Sequence, residues 1–273
     1  MISASEQIHT ASGGLVVTRV EGHTLVVTLN RPEAHNAITQ GMALGIGIAL
    51  DFADDDPAVR AVIITGAGEQ SFCVGADLKE ASADVGLPRD PRLEVWGFGG
   101  FAHHEISKPI IAAVNGYALG GGTELVLASD LAVAAEHATF GLPEVRRGIL
   151  AAAGGAFRLP QQIPRKVAME AILTGESMKA DTALRLGLIN TVVPAKDLMP
   201  NALALAQRIS ANSPLSVQAS KRIAKAISQG TAIEESSYWA RSNDEMARLR
   251  KSHDSGEGLR AFVEKREPEW TGR

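Results

Sequence analysis

A single cysteine, Cys73, stands among 273 residues. A lone thiol closes no disulfide within the chain and supplies no thiolate metal cluster, so the composition suits a reducing compartment. Basic residues have no surplus either: 27 Lys and Arg against 31 Asp and Glu give a formal net charge of −4, with an isoelectric point near 6.0. Nucleic-acid binding draws on an excess of base on one face, and that class is set aside. No apolar run approaches the roughly 18 residues of a membrane span. The opening MISASEQIHTASGG has neither the basic region nor the apolar block of a secretory signal. The expectation is a cytoplasmic protein with no membrane or nucleic-acid partner. What is present is a globular composition, 45% hydrophobic and 21% charged, long enough for one large core or two modest domains.

Along the chain, β-rich runs alternate with glycine-punctuated turns and helical stretches, which reads as α/β. Leu15 to Val20 and Thr24 to Leu29 flank a turn at Glu21-Gly22 and predict a hairpin. A helix is expected from about Thr39 to Ala53, then a strand from Ala61 that closes at Gly66, then a short run at Phe72 to Gly75. An irregular loop from Val85 to Asp90 should lead to a helix ending near Lys108-Pro109. Ile110 to Val114 is continuously apolar and predicts a strand buried on both faces, and Leu131 to Ala135 is a further strand candidate. Beyond Gly154 the pattern turns helical. Ser213-Pro214 marks one helix start, while Thr231 with Glu234 and Asp254 with Glu257 read as capping boxes. The run DTALRLG reads as a short helix stopped at Gly187.

Three stretches could carry chemistry. In Asn115-Gly116-Tyr117-Ala118-Leu119-Gly120-Gly121-Gly122-Thr123-Glu124 a buried strand ends in a glycine-rich turn at a helix start. Amides there are unpaired and the dipole end is positive, so the Gly121 N–H could face a developing oxyanion, with Glu124 three residues on and on the same side. The same glycines also permit plain strand–helix packing. Ser71 to Lys79 could present a second amide, or be a strand-to-helix turn with Asp77 as its local cap. Phe140-Gly141-Leu142-Pro143-Glu144 puts Glu144 in a first turn, where a glutamate commonly just complements the dipole. Gly66-Ala67-Gly68 fails as a dinucleotide loop because Ser71 replaces the required third small residue. Adjacent His103 and His104 point about 100° apart on a helix and have no further ligand at metal spacing, so no metal site is expected.

Taken together, SFCVGADLKE, NGYALGGGTEL, FGLPEVRRGI and the ending AFVEKREPEW resemble the enoyl-CoA hydratase/isomerase, or crotonase, superfamily almost end to end. The resemblance implies a spiral of ββα units over residues 1–205 and a C-terminal helical region over 206–273 that packs in trimers or hexamers. It implies an oxyanion hole from the amides of Ala76 and Gly121, and a CoA groove lined by Ala76, Asp77, Leu78, Lys79 and Gly121. Phe262 and Lys265 match a region that often reaches CoA in a neighbouring subunit. Members with glutamates matching Glu124 and Glu144 are typically hydratases of 2-enoyl-CoA. Glu124 would then activate water and Glu144 deliver a proton, with no cofactor beyond the CoA of the substrate. An isomerase, a specialised dehydratase or a non-catalytic acyl-CoA binder are the alternatives. One departure stands out: Ala151 and Ala152 occupy positions where the family's hydratases commonly have Pro-Gly. Two methyl groups there could reshape the acyl pocket. Arg146 and Arg147 read as solvated charges.

Overall fold

A computed structural model of the chain describes residues 3–77, 80, 90–228 and 230–273. The predicted hairpin forms as β1 (Val16–Glu21) and β2 (Thr24–Leu29), with Val16 opposite Leu29 and Glu21 opposite Thr24. Thereafter the chain repeats one move three times. A strand of a large sheet is followed at once by a short strand of a small one: β3 (Ala61–Gly66) by β4 (Ser71–Cys73), β5 (Ile110–Val114) by β6 (Tyr117–Leu119), β7 (Leu131–Ala135) by β8 (Thr139–Gly141). With β9 (Ser177–Lys179) and β10 (Thr191–Val193), the large sheet runs β1-β2-β3-β5-β7-β10 and the small one β4-β6-β8-β9. Past the hairpin the large sheet is parallel throughout. This is the α/β spiral of ββα units that the motif blocks led us to expect.

Burial on both faces explains the unbroken apolar strands. In β3, Val62 and Ile64 join the main core while Ala61 and Ile63 face a second apolar layer; in β5, Ile110, Ala112 and Val114 alternate in the same way with Ile111 and Ala113. The main core is closed by α2 (Gln40–Asp55), which buries Met42, Ile46, Ala49, Leu50 and Ala53. Its start is capped by Thr39, whose Oγ1 accepts the Met42 N–H at 3.2 Å. The second layer is closed by Leu198, Ala202 and Ala206 of a later helix (Leu198–Ser210), spaced four apart on one face.

Several expectations are corrected. No helix runs to Lys108; the described chain forms only α3 (Arg92–Trp96) and a 3-10 turn at Phe98–Gly100, because Gly97, Gly99 and Gly100 all take positive φ. The loop expected over 85–90 falls, Asp90 apart, outside the described residues. Thr231 lies in a two-residue strand, and the next helix begins at Ser236 without a capping box. The final helix (His253–Glu264) is capped by Ser252, whose Oγ accepts the Ser255 N–H at 3.1 Å. Glu257, assigned to that cap from the sequence, instead accepts from Arg266 Nη2 and the Glu269 amide at 3.0 Å each. The amino-terminal stretch, in which no element was expected, forms α1 (Ala4–Ser12) with a reciprocal Ser3–Glu6 capping box.

The remaining helices follow: α4 (Gly121–Ala128), α5 (Gly155–Gln162), α6 (Arg165–Thr174), α7 (Ala180–Leu186), α8 (Leu198–Ser210), α9 (Pro214–Ala224), α10 (Ser236–Leu249) and α11 (His253–Glu264). Gly187 ends α7 in the left-handed conformation, as the DTALRLG run predicts. Residue 205, the expected end of the spiral core, lies within α8. The last of these helices, α11, folds back onto the 3-10 turn Pro143–Arg147, where a Cβ at Gly148 would strike the Asp254 carbonyl and one at Gly258 the Arg147 backbone.

Candidate active site

The crossovers between the two sheets bring distant segments together. Gly75, at φ 97°, lets the chain turn after β4 and pair with residue 38: the Ile38 N–H donates to the Gly75 carbonyl at 2.8 Å, and the Asp77 N–H donates to the Ile38 carbonyl at 2.9 Å. In such a ladder the intervening Ala76 N–H points away from Ile38. The start of α4 lies against the turn at Gly75. A Cβ added at Gly75 would sit 3.2 Å from the Gly121 nitrogen. The two backbones therefore touch at Gly75, with Ala76 the next residue along the chain. Gly121 is the first residue of α4, so its N–H has no acceptor within the helix. The Phe98 ring fills the space a side chain at 121 would need.

Beside these amides stand the two glutamates. Glu124, one turn into α4, is only 4% exposed. Its Oε1 accepts the Gly155 N–H at 2.9 Å, and the Ala153 amide also donates to the carboxylate. Glu144 sits in the turn that Pro143 opens, with Oε1 3.2 Å from the position of a Cβ at Gly120. Its Oε2 is buried and has no hydrogen-bond partner among the described residues. Burial raises the pKa of both carboxyls well above the ordinary carboxylate range, and the Glu144 charge raises that of Glu124 further. The amides of Gly155 and Ala153 and the positive charge of Arg158 pull Glu124 back down. A pair arranged in this way keeps one proton far closer to neutrality than two solvated carboxylates would, so one member can be base and the other acid.

The other expected residues are placed less uniformly. Asp77 is engaged by its own fold: it bridges to Arg31, and its Oδ1 accepts the Glu80 N–H at 3.0 Å as a local cap. Leu78 and Lys79 lie outside the described residues. Phe262 of α11 carries the Arg147 guanidinium 4.3 Å from its ring centroid, which sets it against the turn bearing Glu144 within the same chain. Lys265 is the exposed left-handed residue that ends α11. Neither arginine of the 143–147 turn is merely solvated, since Arg146 Nε donates to the Thr174 carbonyl at 2.9 Å. Ala151 is buried, its methyl packed against Gly155, and the Ala152 carbonyl accepts from Ser242 Oγ of α10 at 3.2 Å. Cys73 is fully buried and its thiol is pushed up to about 12 by desolvation, so it stays protonated and inert. His103 packs on Trp239, and His104 stacks on Trp96 and reaches Asp51 at 2.9 Å. Among the described residues, no three His, Cys, Asp or Glu side chains are placed to hold a metal, and no helix is long and apolar enough to cross a membrane.

Four residues of the site were not singled out from sequence. The Gly154-Gly155 pair was a visible signal, since a glycine whose Cβ would meet Glu124 Oε1 at 3.0 Å must stay a glycine. Phe98 and Arg158 gave no such sign, because what matters about each is a contact made across more than twenty residues of chain.

Residues 19–273 match the enoyl-CoA hydratase/isomerase family, and the chain belongs to it. A carnitinyl-CoA dehydratase of Proteus mirabilis is 43% identical over 255 residues, covering 92% of this chain and 96% of the relative. That of Salmonella enteritidis is 42% identical and covers 96% and 100%. Among solved structures, a carnitinyl-CoA hydratase from Mycobacterium avium superposes with a TM-score of 0.92 at 52% identity, covering 95% of this chain and 99% of that one. An enoyl-CoA hydratase from Mycobacterium tuberculosis H37Rv does so at 0.73 and 41%, with the same coverage.

Proposed function

We propose that the chain is a hydro-lyase of acyl-CoA thioesters, interconverting a 2-enoyl-CoA and its 3-hydroxyacyl-CoA. The observation that carries this reading is a pair of carboxylates, Glu124 buried and Glu144 with one buried, unpartnered oxygen, beside the close approach of the Gly75 turn to the first amide of α4. The thioester carbonyl sits between the Ala76 and Gly121 N–H groups, which take up the negative charge as it becomes an enolate oxygen. In the hydration direction, Glu124, fixed by the Gly155 and Ala153 amides, orients a water at the β-carbon and receives its proton. Glu144, with an unengaged buried oxygen, delivers a proton to the α-carbon. The enolate collapses to the saturated thioester, and dehydration retraces the path. CoA enters as part of the substrate, along the segment Ala76, Asp77, Leu78 and Lys79, while Phe262 and Lys265 reach the CoA of a neighbouring subunit. The helical region over 206–273 serves self-association, as trimer or hexamer.

The names borne by the relatives make carnitinyl-CoA the first specialised substrate to test, next to simple 2-enoyl thioesters. Incubation with both kinds, followed by conjugated-thioester absorbance and product mass, separates the readings. A mass change of one water supports the hydro-lyase, double-bond migration at constant mass would make it an isomerase, and binding without turnover would make it a carrier. Glu124→Gln and Glu144→Gln are each expected to lose about 10²-fold or more in kcat while remaining folded. Unimpaired turnover in either variant removes that residue from the mechanism.

A further inference from the structure

Arg158 is buried in α5, three residues after the glycine whose amide holds Glu124. Its N–H donates to the Gly154 carbonyl at 2.8 Å, and its guanidinium lies against Gly154, with Nη1 3.2 Å from where a Cβ would be. That close approach needs the glycine, which adopts φ 108°. The far side of the guanidinium is clamped: Nε and Nη2 reach the two oxygens of Glu235 at 2.8 and 2.6 Å, and Nη2 also donates to the Ala102 carbonyl at 3.0 Å. Glu235 belongs to the turn that opens α10 and accepts from Trp239 Nε1 at 3.1 Å. Nη1 is buried without a hydrogen-bond partner, so the cation is neutralised on one side only, the side facing the C-terminal helices.

We infer that Arg158, locked by Glu235, is a positioning residue of the site: it fixes the 153–155 loop around the Glu124 carboxylate and couples the C-terminal helices to the carboxylate pair. The inference rests on the hydro-lyase reading for its activity readout but not for its geometry. The charged and titratable groups facing Glu124 are Glu144 from the 143–147 turn, Arg158 from α5 and the Cys73 thiol from β4. Around Arg158 are Glu235, and His103 from the segment before β5, itself flanked by Glu105. Removing the positive charge favours the proton on Glu124, and removing the negative charge of Glu235 disfavours it. The two variants must therefore move the pair in opposite directions, which a purely structural role would not produce.

The test is the pH dependence of kcat/KM for wild type, Arg158→Gln, Arg158→Lys and Glu235→Gln. Both limbs are expected to move up by about half a pH or more in Arg158→Gln and down by a similar amount in Glu235→Gln. In Arg158→Lys, which retains the charge, they should stay near those of wild type. Limbs that do not move, or that move the same way in both neutralising variants, reduce Arg158 to packing. If Arg158→Gln does not fold, Glu235→Gln alone decides by the direction of its shift. If wild type turns over no thioester, the functional reading has failed, and the coupling is read from thermal melts instead. The pH at which a Glu124→Gln chain becomes more stable than its parent should then shift in the same two directions, and no shift there overturns the coupling.

Discussion

Glu124 is held where an ionised carboxylate is least comfortable. It is buried and beside Glu144, and its folded-state pKa lies above the value it has in the unfolded chain. The sign of the linkage follows. The native state binds the proton more tightly than the unfolded state, so the protonated group adds stability below the ordinary carboxylate pKa, and that stability is lost as pH rises through the raised one. Glu124→Gln keeps the shape and an acceptor for the Gly155 N–H but cannot ionise. The variant should melt higher than wild type at about pH 8, by roughly 2–4 °C for each kcal/mol recovered, with the gap closing toward about pH 5. Melting curves at the two pH values check this. Equal melting temperatures at both would mean that the carboxylate is not strained by its burial. A chain that gains stability as it loses this carboxylate would show that the position is set by chemistry rather than by folding.

At the scale of elements, the proposed oxyanion hole depends on three pieces meeting: the turn after β4, the start of α4 and the 3-10 turn that carries Phe98. A methyl at position 121 would collide with the Phe98 ring, so Gly121→Ala should displace the amide and lower kcat by about 10²-fold, near the cost of losing one oxyanion donor. Adding Phe98→Ala should recover part of that loss, a coupling that a double-mutant cycle measures directly. Independent effects of the two changes would mean that the ring does not set the amide's position. The hairpin, α2, β3, β5 and β7 were legible in the sequence because each has either turn residues between alternating runs or an apolar stretch buried on both faces. The small-sheet strands are only three residues long, too short for a period. The false capping boxes failed because Glu257 found arginine partners and Thr231 went into a strand. The motif glycines and glutamates were legible as candidates, and the resemblance supplied their roles. That the turn at Gly75 meets Gly121 was beyond any spacing rule, since the contact is made by sheet crossovers.

At the scale of the whole molecule, two buried lysines and a half-buried one tie α9 to the spiral. Lys221 of α9 bridges to Asp130 at 2.7 Å and donates to the Lys108 carbonyl at 2.8 Å, while Lys225 reaches Glu105 at 2.9 Å. Lys108 itself is buried and donates to the carbonyls of Ala53 and Asp56 at the end of α2. Asp130 also caps the start of β5, accepting the Ile110 N–H at 2.7 Å. One carboxylate thus joins the start of β5 to α9. Burial presses the pKa of Lys221 down, and Asp130 is the foremost influence holding it up. Asp130→Asn keeps the acceptor and removes the charge, leaving a buried ammonium uncompensated, which should cost about 3 kcal/mol in urea unfolding. A buried lysine with a depressed pKa destabilises while it is protonated, so the deficit should shrink as pH rises into the alkaline range. Adding Lys221→Met removes the stranded charge and should restore much of the loss. If Asp130→Asn unfolds at the wild-type midpoint, apolar contacts alone hold the C-terminal helices to the spiral, and the ion pairs fix only their angle.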